Sequence, residues 1–165
     1  EILIGLVGSE MCIRDSNTSK KWQRIKTVKA VSFTDSGLAR AKGYSYKVKA
    51  VKKSGGKEYI SASYSKAVEA VTKPAKASCT AKSAGSGSIE VSWKAVGGAS
   101  GYEIYSSSNG SDYVKSAKVG GSQKSAIVSG FEPYSLRMVK VRAYKTVNGK
   151  TSYGAFSQAV MVIVK

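Results

Sequence analysis

The sequence predicts an all-β chain folded as small two-sheet sandwiches, and three observations point that way. A stretch of the chain repeats itself 93 residues further on, which marks a duplicated module. Within each copy, apolar and polar residues alternate with period two, as in a strand with one buried face. Gly is frequent at 17 residues and Pro rare at 2. Short apolar runs separated by Gly, Ser and Asn suit many turns and no long helix.

The repeat sets the domain organisation. Gly37-Leu38 and Tyr46-Lys47-Val48-Lys49-Ala50 reappear as Gly130-Phe131 and Val139-Lys140-Val141-Arg142-Ala143. Tyr64-Ser65-Lys66-Ala67-Val68 matches Phe156-Ser157-Gln158-Ala159-Val160, and Trp22 matches Tyr113. The Thr72-Lys73-Pro74-Ala75-Lys76 stretch interrupts the strand pattern, so the modules are expected at 17–73 and 74–165. The second copy is the complete one. Ile89, Val91 and Trp93 alternate with polar residues, Gly97-Gly98-Ala99-Ser100-Gly101 forms a turn, and Tyr102 and Ile104 continue the inward set. Val139, Val141 and Ala143 form another such strand, and Asn148-Gly149 closes a hairpin. About seven short strands in roughly ninety residues suit a two-sheet sandwich. The expected core is Trp93, Tyr102, Ile104, Val139 and Val141 in copy two, with Leu38, Tyr44 and Val48 in copy one. Copy one begins near Trp22 and so is expected to miss about three N-terminal strands.

These motifs carry a resemblance. Val91-Ser92-Trp93-Lys94 with Ala99-Ser100-Gly101-Tyr102-Glu103-Ile104-Tyr105 resembles the B and C strands of fibronectin type III domains. Gly37-Leu38 followed by Tyr44, Tyr46 and Val48 resembles the E–F corner and F strand, and Asn148-Gly149-Lys150 through Ser157 the F–G hairpin and G strand. The flavour is similar to Lys-rich tandem copies in surface and secreted proteins of Gram-positive bacteria. The resemblance implies an immunoglobulin-like sandwich and an extracellular or cell-surface location, with other domains of a parent chain as neighbours. It also implies that Tyr44 is the corner tyrosine, packed under the turn with its hydroxyl bonded to backbone. Copy two departs here: Arg137 holds that place, with Tyr134 a candidate replacement for the ring.

Residues 1–16 read differently. They have an apolar stretch but an acidic start and no basic segment before it, so the secretion-signal pattern fails. The run Leu6–Asp15 back-translates codon by codon into a transposase-type sequencing-library adapter. The segment is therefore expected to be foreign to the natural chain, Cys12 included, with the natural protein cut short before residue 17.

Little in the composition favours catalysis. There is no His, which removes the commonest general base and metal ligand. Two cysteines, Cys12 and Cys79, are too few for a zinc site or a disulfide scaffold. Cys79 has the spacing of an inward, inert thiol. Asp35, Glu58, Glu69, Glu90, Glu103, Asp112 and Glu132 are scattered, and each reads as a solvated strand or turn residue. No catalytic, cofactor or metal site is expected, and the chain is expected not to be an enzyme. The glycosylation sequons Asn17-Thr18-Ser19 and Asn109-Gly110-Ser111 read as incidental. No apolar stretch reaches the roughly 18 residues of a membrane span.

The charge remains, at +17. Arg14 faces Glu1, Glu10 and Asp15 within the first sixteen residues, so the basic excess lies wholly beyond them. Lys47, Lys49, Lys140 and Arg142 alternate with apolar residues and decorate outward strand faces, which makes them candidate polyanion contacts. No nucleic-acid motif accompanies them, so anionic cell-wall polymers or acidic glycans are the better-fitting partners. The competing reading is a solubilising face that also blocks edge-to-edge strand pairing. The functional expectation is a non-catalytic extracellular spacer or interaction module, with an anionic-polymer or glycan binding module as the alternative.

Overall fold

The computed structural model describes residues 2–5, 10–16, 22–30 and 32–165; side chains are described from Trp22 onward. The sequon at Asn17-Thr18-Ser19 and the side chain of Cys12 lie outside the described residues. The chain divides into two units, 1–72 and 73–165, one residue from the expected boundary.

Unit 1 contains β1 (Ile2–Gly5), β2 (Glu10–Ser16), β3 (Gln23–Val28), β4 (Ser32–Asp35), β5 (Gly43–Ser54), β6 (Lys57–Ile60) and β7 (Val68–Val71). Unit 2 contains β8 (Cys79–Gly85), β9 (Ser88–Trp93), β10 (Gly101–Ser107), β11 (Val114–Gly120), β12 (Ser125–Val128), β13 (Leu136–Val147), β14 (Lys150–Tyr153) and β15 (Val160–Ile163).

In unit 2, one sheet runs β12-β9-β8 and the other β11-β10-β13-β14, with β15 also paired to β13. All pairings are antiparallel. Because β14 and β15 share one partner, eight strand segments occupy the seven expected positions. Alternation places Ile89, Val91 and Trp93 from one sheet against Tyr102, Ile104, Val139 and Val141 from the other, all buried. Trp93 and Tyr102 pack with ring centroids 5.2 Å apart. Their polar tips are satisfied: Trp93 Nε1 donates to the Gln123 carbonyl at 3.1 Å, and Tyr102 Oη accepts from the Val96 amide at 2.7 Å. Each large aromatic is therefore buried with its polar tip hydrogen-bonded.

Unit 1 repeats most of the plan. Ser32–Asp35 pairs with Ile2–Gly5 in the register by which Ser125–Val128 pairs with Ile89–Ser92. β2 lies between β3 and β5 as β10 lies between β11 and β13. Even the bulge recurs, between Cys12 and Ile13 in β2 and between Ile104 and Tyr105 in β10. Residues 2–5 and 10–16, in the segment expected to be foreign to the natural chain, thus lie where two of the strands expected to be missing would lie. The physical reason is that a backbone ladder accepts any chain with strand geometry, and β3, β4 and β5 would otherwise present unpaired edges. Among the described residues, nothing occupies the position of β8. Tyr44 is buried, while Leu38 and Val48 are half-buried. Where unit 2 has the apolar Val128 and Val139, unit 1 has Asp35 and Tyr46, both buried, with Tyr46 Oη donating to Asp35 Oδ2 at 2.9 Å. The expectation that Asp35 is solvated is corrected: the tyrosine hydroxyl offsets its burial.

The E–F corner behaves as the resemblance implies in unit 1, where the Ala39 amide donates to Tyr44 Oη at 3.1 Å. In unit 2, Arg137 lays its guanidinium 5.0 Å from the Phe131 centroid. Its Nε is buried with no hydrogen-bond partner among the described residues. Tyr134 does not replace the missing ring, because it is 85% exposed. Tyr134 has φ +60° and its repeat counterpart Ala41 φ +53°, so the left-handed turn recurs in both units, with the small Ala41 buried and Tyr134 exposed.

Candidate functional site: the cation–aromatic face

The outward faces of β5 and β13 carry all four cations singled out from the sequence. Each is half-buried, and each ammonium or guanidinium stands over at least one aromatic ring. In unit 2, Lys140 Nζ lies 3.5 Å from the Tyr113 centroid and 4.5 Å from that of Phe156. In unit 1, Lys47 Nζ lies 4.0 Å from Trp22 and 4.1 Å from Tyr64. These are repeat counterparts, so the sandwich of one lysine between two rings is built twice. Such contacts contribute on the order of 0.5–1 kcal/mol at exposed sites and more when water is excluded.

A serine positions the second ring. The last strand leaves its neighbour between β14 and β15, and there the Val141 amide donates to Ser157 Oγ at 3.0 Å while the Ser157 amide donates to the Val141 carbonyl at 2.8 Å. Ser65 repeats both bonds with Val48, at 3.0 and 2.8 Å. The serine side chain replaces a ladder bond, and the residue before it, Phe156 or Tyr64, turns onto the lysine. Cys79, half-buried against the core, brings its thiol to 3.1 Å from Ser157 Oγ.

The units differ beside this sandwich. In unit 2 the carboxylate of Glu103, 1% exposed, is opposite Arg142 in register. Arg142 donates to Glu103 Oε2 from Nη2 at 2.7 Å and Nε at 3.0 Å, and Lys115 Nζ donates to Oε1 at 3.3 Å. Tyr105 Oη donates to Oε2 at 3.2 Å and accepts from Arg142 Nη2 at 2.8 Å. The guanidinium is also stacked 4.1 Å from the Tyr153 centroid and 4.9 Å from Phe156. Burial pushes the Glu103 carboxyl up, but the bonds from Arg142 and Lys115 outweigh it and hold the group below the usual glutamate value. Glu103 was expected to be a solvated strand residue; cross-strand cations bury it instead. In unit 1, Met11 holds the register position opposite Lys49, and Lys49 Nζ lies 4.2 Å from the Tyr64 centroid.

Close approach at the upper edge of this face requires glycine at one point. A Cβ on Gly101 would strike the Val119 carbonyl oxygen and the Tyr144 ring, so Gly101 lets Tyr144 lie across β10 beneath Lys118, whose Nζ is 4.6 Å from its centroid. Elsewhere, a cavity of about 890 Å³ at one end of unit 1 is lined by Val28, Val51, Lys52, Tyr59 and Ile60 among others. Among the described residues no cluster of His, Cys, Asp or Glu could hold a metal, and no helix is long and apolar enough to cross a membrane.

The fold has clear counterparts among solved structures. The chain superposes on the chicken CNTN1 FN1-FN3 domains with TM-score 0.53 and 19% identity over 95% of its length. It does so on a two-domain fibronectin type III segment of chicken tenascin with TM-score 0.54 and 14% identity over 94%. It spans 56% of the former structure and 83% of the latter. No sequence-family model matches the chain, and no curated protein does. The architecture is the immunoglobulin-like sandwich of fibronectin type III domains.

Proposed function

We propose that the chain is a non-catalytic spacer and interaction segment of a larger surface or secreted bacterial protein. The observation that carries this reading is the self-contained outer face of unit 2. Its carboxylate Glu103 is bonded to Arg142, Lys115 and Tyr105, and its lysine is held between rings. Groups held this way stiffen a module and leave little reactive. Recovery of the flanking reading frames tests the assignment. An export signal and an attached adhesive or catalytic domain are expected; a cytoplasmic parent without either would overturn it.

A second reading, a binding module for anionic cell-wall polymer or glycan, is favoured by unit 1, where Met11 stands at the place of Glu103. Retention of the chain on purified anionic wall polymer, lost as salt rises, supports this reading. No retention at low salt leaves the spacer alone.

A further inference from the structure

The two outward faces follow one plan and differ in how their cations are balanced. In unit 2 Glu103 lies within the cluster. In unit 1 no ion pair joins Lys47 or Lys49 to a carboxylate among the described residues. The acid Glu58, opposite Lys53 in register, is taken by Arg24 at 3.4 Å and Lys53 at 3.3 Å, and Glu69 stands opposite Ser45. Two ammonium groups therefore share the Tyr64 ring, at 4.1 and 4.2 Å from its centroid, and repel each other there. Trp22 and Tyr64 remain 40% and 42% exposed although each already holds a cation. An anion would relieve the repulsion, and the exposed ring surface beside it suits a ligand with an apolar face next to its charge. A carboxylated sugar has that pairing, with C–H groups on one ring face and a carboxylate at the edge. A phosphodiester chain would need the lysines and gain little from the rings.

We infer that Trp22, Lys47, Tyr64 and Lys49 form a binding site for an acidic polysaccharide of the uronate type. A sugar face stacks on Trp22 or Tyr64, and its carboxylate is bound by Lys47 and Lys49. The inference rests on the interaction reading above but confines binding to one face of unit 1. Unit 2, with Glu103 in place, is expected to contribute little.

The test uses the full chain and an oligogalacturonate probe. Trp93 is buried in unit 2, so a change in tryptophan emission on titration reports Trp22. A saturable change is expected, weakened roughly tenfold by Lys47→Met together with Lys49→Met, which keep the packed stems and remove the charges. Lys140→Met in unit 2 should alter affinity by less than about twofold. Equal binding of a neutral oligosaccharide would overturn the site. So would inorganic polyphosphate binding as tightly with no Trp22 response, which would show general attraction to a basic surface. Absence of any oligogalacturonate binding by the folded chain also overturns it, and leaves the spacer role standing.

Discussion

Arg142 grips a single oxygen of Glu103 with two nitrogens, Nη2 at 2.7 Å and Nε at 3.0 Å. The Glu103 side chain is almost inaccessible and the Arg142 side chain 22% exposed, so the pair lies between a buried and a surface ion pair. Removing one partner from such a pair leaves a charge with too little solvent, and the cost is about 3 kcal/mol, the low end of the range for fully buried pairs. Arg142→Met is expected to destabilise unit 2 by that amount at neutral pH. The folded carboxyl is held below its ordinary value near 4.5. The pair's contribution is therefore complete above that value and is lost as pH falls through the lower folded one. Urea midpoints at pH 7 and pH 3 should show the parent and variant converging at the acidic end. Equal midpoints at pH 7 would mean that the pair adds nothing net.

Ser157→Ala should be costly for so small a change. It strips the acceptor from the Val141 amide, which is buried at the centre of β13. A buried donor left without a partner costs on the order of 1–3 kcal/mol. Thermal unfolding of unit 2 measures this directly. A shift within error would show that water reaches the Val141 amide once the hydroxyl is gone.

The sandwich, the repeat and most of the core were legible in the sequence because they depend on local alternation. Ile89, Val91 and Trp93 declare an inward face by period two alone, and Gly37 and Gly130 mark the same corner by their spacing. The Glu103 cluster was not legible, since its members lie 39 residues apart and meet only through the β10–β13 register. A signal was present: Glu103 and Arg142 both have outward parity on strands that the resemblance makes neighbours. The lysine sandwiches were hidden similarly. Tyr113 and Phe156 belong to different strands' ends, and only the serine bond at Val141 turns Phe156 onto Lys140. Residues 2–5 and 10–16 escaped because backbone pairing needs no repeat of side chains.

Arg137→Tyr should stabilise unit 2 by about 1 kcal/mol, the usual net worth of one intramolecular hydrogen bond. The new hydroxyl would reach the Glu132 amide as Tyr44 Oη reaches the Ala39 amide, and the buried Arg137 Nε would disappear. Tyr134 points to solvent, so it does not occupy the space. A lowered melting temperature would mean that Phe131 already fills the corner and the added ring overpacks it.

Trp93→Ala is expected to cost unit 2 roughly 3–5 kcal/mol, the usual penalty for truncating a large buried aromatic. It removes the ring packed against Tyr102 and the donor to the Gln123 carbonyl. That is a large part of a small domain's stability. A urea midpoint close to the parent's would contradict the packing described.

Deletion of residues 1–16 separates the two units experimentally. It removes β2, which joins β3 to β5, and β1, the partner of β4. The remaining sheet of unit 1 loses its middle, and a sheet so interrupted has little cohesion. Unit 2 closes its own core without any of these strands. Hydrogen exchange should therefore show amides of β5 around Tyr46 and Val48 losing protection, while Val139 and Val141 in β13 keep theirs. Protection lost in both strands would mean that unit 2 depends on unit 1 for stability. Protection kept in both would mean that the β2 ladder contributes nothing to holding unit 1 together, and that β5, β6 and β7 suffice without it.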